Sequence, residues 1–263
     1  MKAKSLAPGF VLFYSLLSGS ALLFMSACDE NKPKPTASPV LEEKPAPAEA
    51  APLPQSPPTL AISDSGPSVR GMSAMLTQPS GTPDAAGRAK LRGYLQEEEK
   101  FLRDKDVTVQ VARMAKPEWV GIFLSELSQL SPARVVIATD TRSDFPKELE
   151  FVPHELVKQP DPCTLAGTIT ADRGTAIWKI SGGAARKRGR GMGGPDLSMT
   201  ADTILSMKKG CSSDLFFVSG AEGVEWGLIY DLAASGISLE KAELKRAVVP
   251  TKPATAGHKI EQW

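Results

Sequence analysis

The chain has 263 residues, room for one or two domains, and its 31 lysines and arginines nearly cancel 30 aspartates and glutamates. A formal charge of +1 excludes a surface built throughout for nucleic acid. Three cysteines and two histidines exclude a cysteine-rich scaffold, and no motif implies a metal or a cofactor.

Lys2 and Lys4 precede an uncharged apolar run from Phe10 to Met25, which ends in Ser26-Ala27-Cys28. Such a run is either a signal peptide cut after small residues or an uncleaved membrane anchor. It resembles a bacterial lipoprotein signal, with residues 1–27 removed and Cys28 lipidated as the new N-terminus. Met25 stands where such signals usually carry leucine. Both readings place the rest of the chain outside the cytoplasm, in a cell envelope and facing the periplasm. Asp29 resembles a retention signal for the inner membrane in enteric bacteria.

Residues 28–83 are expected to be a disordered tether. Twelve of the 22 prolines fall between Lys32 and Asp84, and residues 29–83 contain no aromatic side chain. Such a composition cannot bury enough apolar surface to offset its ordering entropy. The stretch is a leash to an envelope target, or a spacer without one.

From Asp84 the pattern becomes globular. Leu91, Tyr94, Leu95, Phe101 and Leu102 predict a helix over 85–105. Val107 to Val111 alternates as a strand. Pro117 suits the first turn of a second helix over 118–130, with Ile122, Phe123 and Leu127 inward. Arg134 to Thr139 is a short apolar strand. The same unit recurs later: a strand from Asp214, a helix opening at Glu225-Trp226, and a strand from Arg246 to Thr251. Glu118-Trp119 aligns with Glu225-Trp226, Ile122 with Ile229, Arg134 with Arg246 and Thr139 with Thr251. This is a duplicated strand–helix–strand unit. The two tryptophans are expected to pin their helices onto the sheet. The first repeat with its leading helix covers 84–158, and a second region covers 159–263.

That second region begins with a hairpin. Leu165 to Thr170 and Thr175 to Ser181 are its strands, and Ala171-Asp172-Arg173-Gly174 is its turn. A helix over 198–208 follows, then the second repeat. Thr170 to Gly174, Gly223-Val224-Glu225-Trp226-Gly227 and Ala234-Ser235-Gly236-Ile237 together resemble the periplasmic domain of ExbD/TolR biopolymer-transport proteins. The resemblance covers about 163–251. It implies an α/β (α+β) domain, a mixed sheet with helices on one face. It also implies action by association: with peptidoglycan, with a protein of an energised transport complex, or as a homodimer. The family's transmembrane aspartate, which couples to the proton current, has no counterpart in the apolar run here.

Candidate chemistry is sparse. Arg186-Lys187-Arg188-Gly189-Arg190-Gly191-Met192-Gly193-Gly194 satisfies a glycine-rich phosphate pattern in letters only. Seven residues separate Ser181 from Gly189, and a dinucleotide site needs its first glycine at the strand end. Arg186, Lys187, Arg188 and Arg190 are therefore a candidate site for anions such as peptidoglycan carboxylates, lipid phosphates or a polyanionic partner; the bland alternative is a solvated loop. No nucleophile elbow exists, and neither Cys163 nor Cys211 has a histidine at motif spacing. His154 and His258 are expected at the surface. The chain is read as a non-enzyme; an envelope enzyme or inhibitor whose site forms only in three dimensions is the alternative. With Cys28 lipidated, Cys163 and Cys211 are left to form a disulfide in an oxidising compartment, each just ahead of a strand.

Overall fold

The computed structural model describes residues 56–76 and 84–260. The apolar run and Cys28 lie outside those residues. Among the described residues, no helix is long and apolar enough to cross a membrane.

The first surprise is the start of the fold. Three strands, β1 (Leu60–Ser63), β2 (Gly66–Val69) and β3 (Met72–Ser73), form an antiparallel meander within the stretch expected to be a tether. Leu60, Ile62 and Val69 are buried, so this segment does hold a core despite its prolines. The tether expectation is corrected for these residues: Leu60–Ser73 is folded sheet ahead of Asp84.

Helix α1 (Ala85–Glu97) is capped by Asp84, whose carboxylate accepts the Ala86 N–H at 2.9 Å. Its Gly87 lies against the Met75 carbonyl so closely that a Cβ there would collide with it. The predicted single helix breaks at Glu98, which leaves helical geometry and pairs with Arg70. A single turn, α2 (Glu99–Leu102), completes it.

Strand β4 (Asp106–Val111) alternates buried and exposed residues as its sequence predicts. Helix α3 (Pro117–Ser128) opens on its proline, and β5 (Arg134–Ala138) runs parallel to β4. Next comes β6 (Glu148–Pro153), antiparallel to β5. The second half contains the hairpin β7 (Leu165–Ile169) and β8 (Thr175–Lys179), then β9 (Arg186–Arg188) and a small hairpin, β10 (Arg190–Gly191) with β11 (Gly194–Pro195). It closes with α4 (Leu197–Lys208), β12 (Leu215–Gly220), α5 (Trp226–Ile237) and β13 (Arg246–Val249).

One mixed sheet of 11 strands results, ordered β3-β2-β1-β4-β5-β6-β13-β12-β7-β8-β9. The duplication is larger than the sequence shows. β1 and β2, α1, β4, α3 and β5 form one lobe; β7 and β8, α4, β12, α5 and β13 form another with the same connectivity. In each lobe the hairpin's first strand runs parallel to the next strand, and that strand runs parallel to the last. β6 joins the lobes, antiparallel to β5 and parallel to β13.

The strand period of two sorts the second lobe's side chains. Leu165, Ile177, Phe216 and Val249 join the core shared with the helices. Ala166, Trp178, Phe217 and Val248 face the other way. There the C-terminal tail covers them: Ile260 N–H donates to the Ile180 carbonyl, and Trp178 Nε1 to the His258 carbonyl, each at 2.9 Å. The architecture is the expected mixed sheet with its helices on one face.

Glu126 is wholly buried on α3 and receives Arg88 and Arg92 from α1. Burial alone would push its carboxyl up. Hydrogen bonds from Arg92 and Arg88 outweigh that and hold it below the usual range. A depressed native value contributes stability above the unfolded carboxyl's value, about 4.3, and that stability is lost as pH falls through the native value. Thermal melts should therefore drop as pH is lowered through about 4. Glu126→Gln should be less stable at pH 7 and flatter over the same range. A parallel acid profile for the variant would remove Glu126 from the account.

Candidate functional site

Four basic side chains were singled out by sequence, and the structure divides them. β9 pairs with β8 as the last strand of the sheet, in the register Thr175↔Arg188 to Ile177↔Arg186. Alternate residues of a strand point to opposite faces. Arg186 and Arg188 thus reach α4, where they donate to Ser206 Oγ and Thr203 Oγ1, both at 3.0 Å. Lys187 points the other way and is exposed, as is Arg190. The run is an ordered strand and hairpin rather than a solvated loop.

A cationic edge strand also resists pairing with another sheet. Arg188→Ser should cost about 1 kcal/mol, because it removes a charged hydrogen bond to the buried Thr203. Lys187→Ser and Arg190→Ser should each stay within about 0.5 kcal/mol. Denaturant titration of the three variants checks the split.

Between the lobes a second polar cluster forms. The first N–H groups of α5 need acceptors, and Glu225 supplies no side-chain cap. The loop after β4 supplies them: Trp226 N–H donates to the Ala115 carbonyl at 3.0 Å and Gly227 N–H to the Arg113 carbonyl at 2.8 Å. Gly227 is needed there, since a Cβ would meet the Arg113 side chain at 2.9 Å. Arg113 then forks onto Asp231 at 2.9 and 3.1 Å, and the Thr141 hydroxyl donates to the same carboxylate. Trp226 Nε1 donates to Thr139 Oγ1 at 2.9 Å. Tyr230 donates to the Pro146 carbonyl at 3.2 Å, and burial raises its phenol far above the usual range. Every member has a partner, so this network binds lobe to lobe.

Two surface cavities flank that seam. One, of about 520 Å³, is lined by Leu76, Met114, Pro117, Trp119, Ile122 and Val224, with Lys116, Glu118, Glu222 and Glu225 around them. Lys116 Nζ lies 5.1 Å above the Trp119 ring. The other, of about 260 Å³, lies between Arg113, Arg142 and Asp231 and the glycines of the β10–β11 hairpin. Sequence reasoning found Trp119 and the glycine run but not Arg113, Asp231 or Met114.

His154 is not at the surface. It is buried at the end of β6, edge-on to Phe217 with ring centres 5.8 Å apart, and burial lowers its basicity. Its Nδ1 is 3.4 Å from Thr251 Oγ1. His258 is exposed. Cys163 and Cys211 are disulfide-bonded, as expected, with Cα atoms 5.7 Å apart. Among the described residues, the carboxylates whose proton affinity the fold moves, Glu126, Asp172 and Asp214, are moved down. Each is held by arginines or by hydroxyl and backbone donors.

No protein-family model, curated protein or solved structure matches the chain.

Proposed function

We propose that this is a lipid-anchored envelope protein that works by association, with an ExbD/TolR-like lobe in its C-terminal half. The single observation that carries the reading is the connectivity of that half: hairpin, helix, strand, helix, strand, with the three short motifs at the hairpin turn, the start of α5 and its end. The first lobe repeats that connectivity within the same chain. The groove beside Trp119 supports binding rather than turnover. It is an open apolar surface whose Met114 is 63% exposed, and flexible methionines adapt to varied partners. Peptidoglycan or a protein of an energised transport complex is the occupant this reading names.

A photo-crosslinking residue placed at Met114 in the full-length protein, in cells, tests it. Crosslinks to peptidoglycan fragments or to one envelope protein are expected. They should be lost when Ile122, half-buried on the groove wall, is replaced by Glu while the melting temperature shows that the variant still folds. No crosslink at Met114, with an active photoprobe, would overturn the reading.

A further inference from the structure

The two lobes differ on the side of the sheet away from the helices. On β4 that side carries Thr108 and Gln110, both exposed. On β12 and β8 it carries Phe217 and Trp178, both fully buried. The tail after β13, residues 251–260, buries them: Ala254, Ala256 and Ile260 pack onto that cluster. Few backbone bonds hold the tail there. Gly183 N–H donates to the Gly257 carbonyl at 2.8 Å, beside the bonds of Ile260 and Trp178.

His154 stands at the root of this strap. Its ring is edge-on to Phe217 of the covered cluster, and its Nδ1 lies 3.4 Å from Oγ1 of Thr251, where the strap begins. Its Nε2 is buried without a protein partner. So is the Oγ of Ser219, two residues beyond Phe217 and on the same side of β12. Such a site accepts the neutral ring and resists the cation, because a second N–H would find no protein acceptor. Burial accordingly lowers the ring's basicity, against a smaller opposing field from Glu155 on its own turn. No other neighbour offers a counter-ion. On α3, which packs against that turn, Glu118 lines the Trp119 groove and Glu126 is held by Arg88 and Arg92. Phe217 and Ser219 of β12 and Thr251 are uncharged, and Lys252 is itself a cation.

We propose that His154 is an acid-released latch: taking up a proton drives the ring from its site, parts it from Thr251 and Phe217, and frees residues 251–260 from the sheet. Outside, the imidazolium gains water and the exposed Glu155. The face it leaves is that of Trp178 and Phe217, so mild acid uncovers an apolar surface on the second lobe alone. In the released state the ring titrates at its ordinary value, about 6.5. The closed state therefore holds its full advantage above that pH and loses it as pH falls toward the lower native value. Over that interval each pH unit multiplies the released population by up to about ten. The inference does not depend on which partner occupies the Trp119 groove.

Amide hydrogen exchange of the full chain tests it, read residue by residue between about pH 5 and 8, above the carboxylate range, with the intrinsic rate divided out. The Gly183 and Ile260 amides, which join strap to sheet, should keep constant protection down to about pH 6.5 and lose up to about tenfold per unit below it. At every pH they should exchange faster than the amides of β12, because the strap leaves while the sheet stays folded. In His154→Gln their protection should not change with pH. Should that variant fail to fold, His154→Phe keeps a ring against Phe217 and should give the same flat profile. His258→Gln, which removes the exposed histidine of the strap itself, should behave as the parent. Four results overturn the proposal: a flat profile in the parent, a fall that persists without His154, a fall abolished by His258→Gln, or strap amides that exchange no faster than those of β12.

Discussion

Trp226→Ala should cost about 3–5 kcal/mol, the range for a large aromatic removed from a core. Trp226 is fully buried at the start of α5, and its ring lies 5.6 Å from Phe151 and 6.2 Å from Tyr230. Phe151 belongs to β6, the strand that joins the lobes, so one side chain packs helix, sheet and joint together. Its loss also leaves the Thr139 hydroxyl, buried on the first lobe, without its donor. An unpaired buried group adds about 1–3 kcal/mol in comparable cases, which places this substitution at the upper end. Trp119→Ala is the internal comparison. Trp119 holds the corresponding place on α3 but borders an open groove, so water can enter the space it leaves and the cost is smaller. Guanidinium titration of both variants measures the difference. A change below about 1 kcal/mol for Trp226→Ala would show that the lobes do not depend on this contact.

The unequal tryptophans show what the sequence could and could not convey. Their alignment was legible because each follows a strand and opens an apolar helix. Their surroundings were not, because the loop carrying Arg113 and the helix carrying Asp231 are more than a hundred residues apart. The first lobe was visible only from α1 onward. Leu60 and Ile62 alternate, and Asp64-Ser65-Gly66 is a fair turn, but proline and small residues hide both. Pro67 in particular argues against a strand. It is tolerated because its carbonyl accepts the Ala74 N–H at 2.9 Å just past the short β3, so the missing donor faces that side and β1 loses no ladder bond. β6 has a clear alternation from Glu148 to Pro153, yet it belongs to neither repeat and so escaped a reading built on repetition. Arg186 to Arg188 read as a loop because charge normally marks solvent. Pairing with β8 makes it a strand, and only an edge could accept such residues.

Removing the disulfide, by Cys163→Ser with Cys211→Ser, should cost about 4 kcal/mol on the chain-entropy account. The bond joins residues 48 apart in sequence. It works because β7 and β12 are adjacent and parallel, in the register Leu165↔Phe216, which brings the two strand starts together. Local bonds fix both ends independently. Cys163 N–H donates to Asp161 Oδ1 at 2.9 Å, and Lys208 Nζ donates to the Cys211 carbonyl. The native geometry should thus survive in the double variant, and the loss falls mainly on the unfolded chain, which regains the freedom of the loop. That loop contains β8, the basic strand, the Met192 hairpin and α4, so those elements should unfold first when the bond is absent. For a unit of this size each kcal/mol lowers the melting temperature by roughly 2–4 °C, so a drop of about 8–16 °C is expected, together with earlier protease cleavage between residues 181 and 196. Thiol labelling of the unfolded, unreduced mature protein should find neither Cys163 nor Cys211 reactive. Two reactive thiols, or a double variant that melts with the parent, would remove the bond from the native protein.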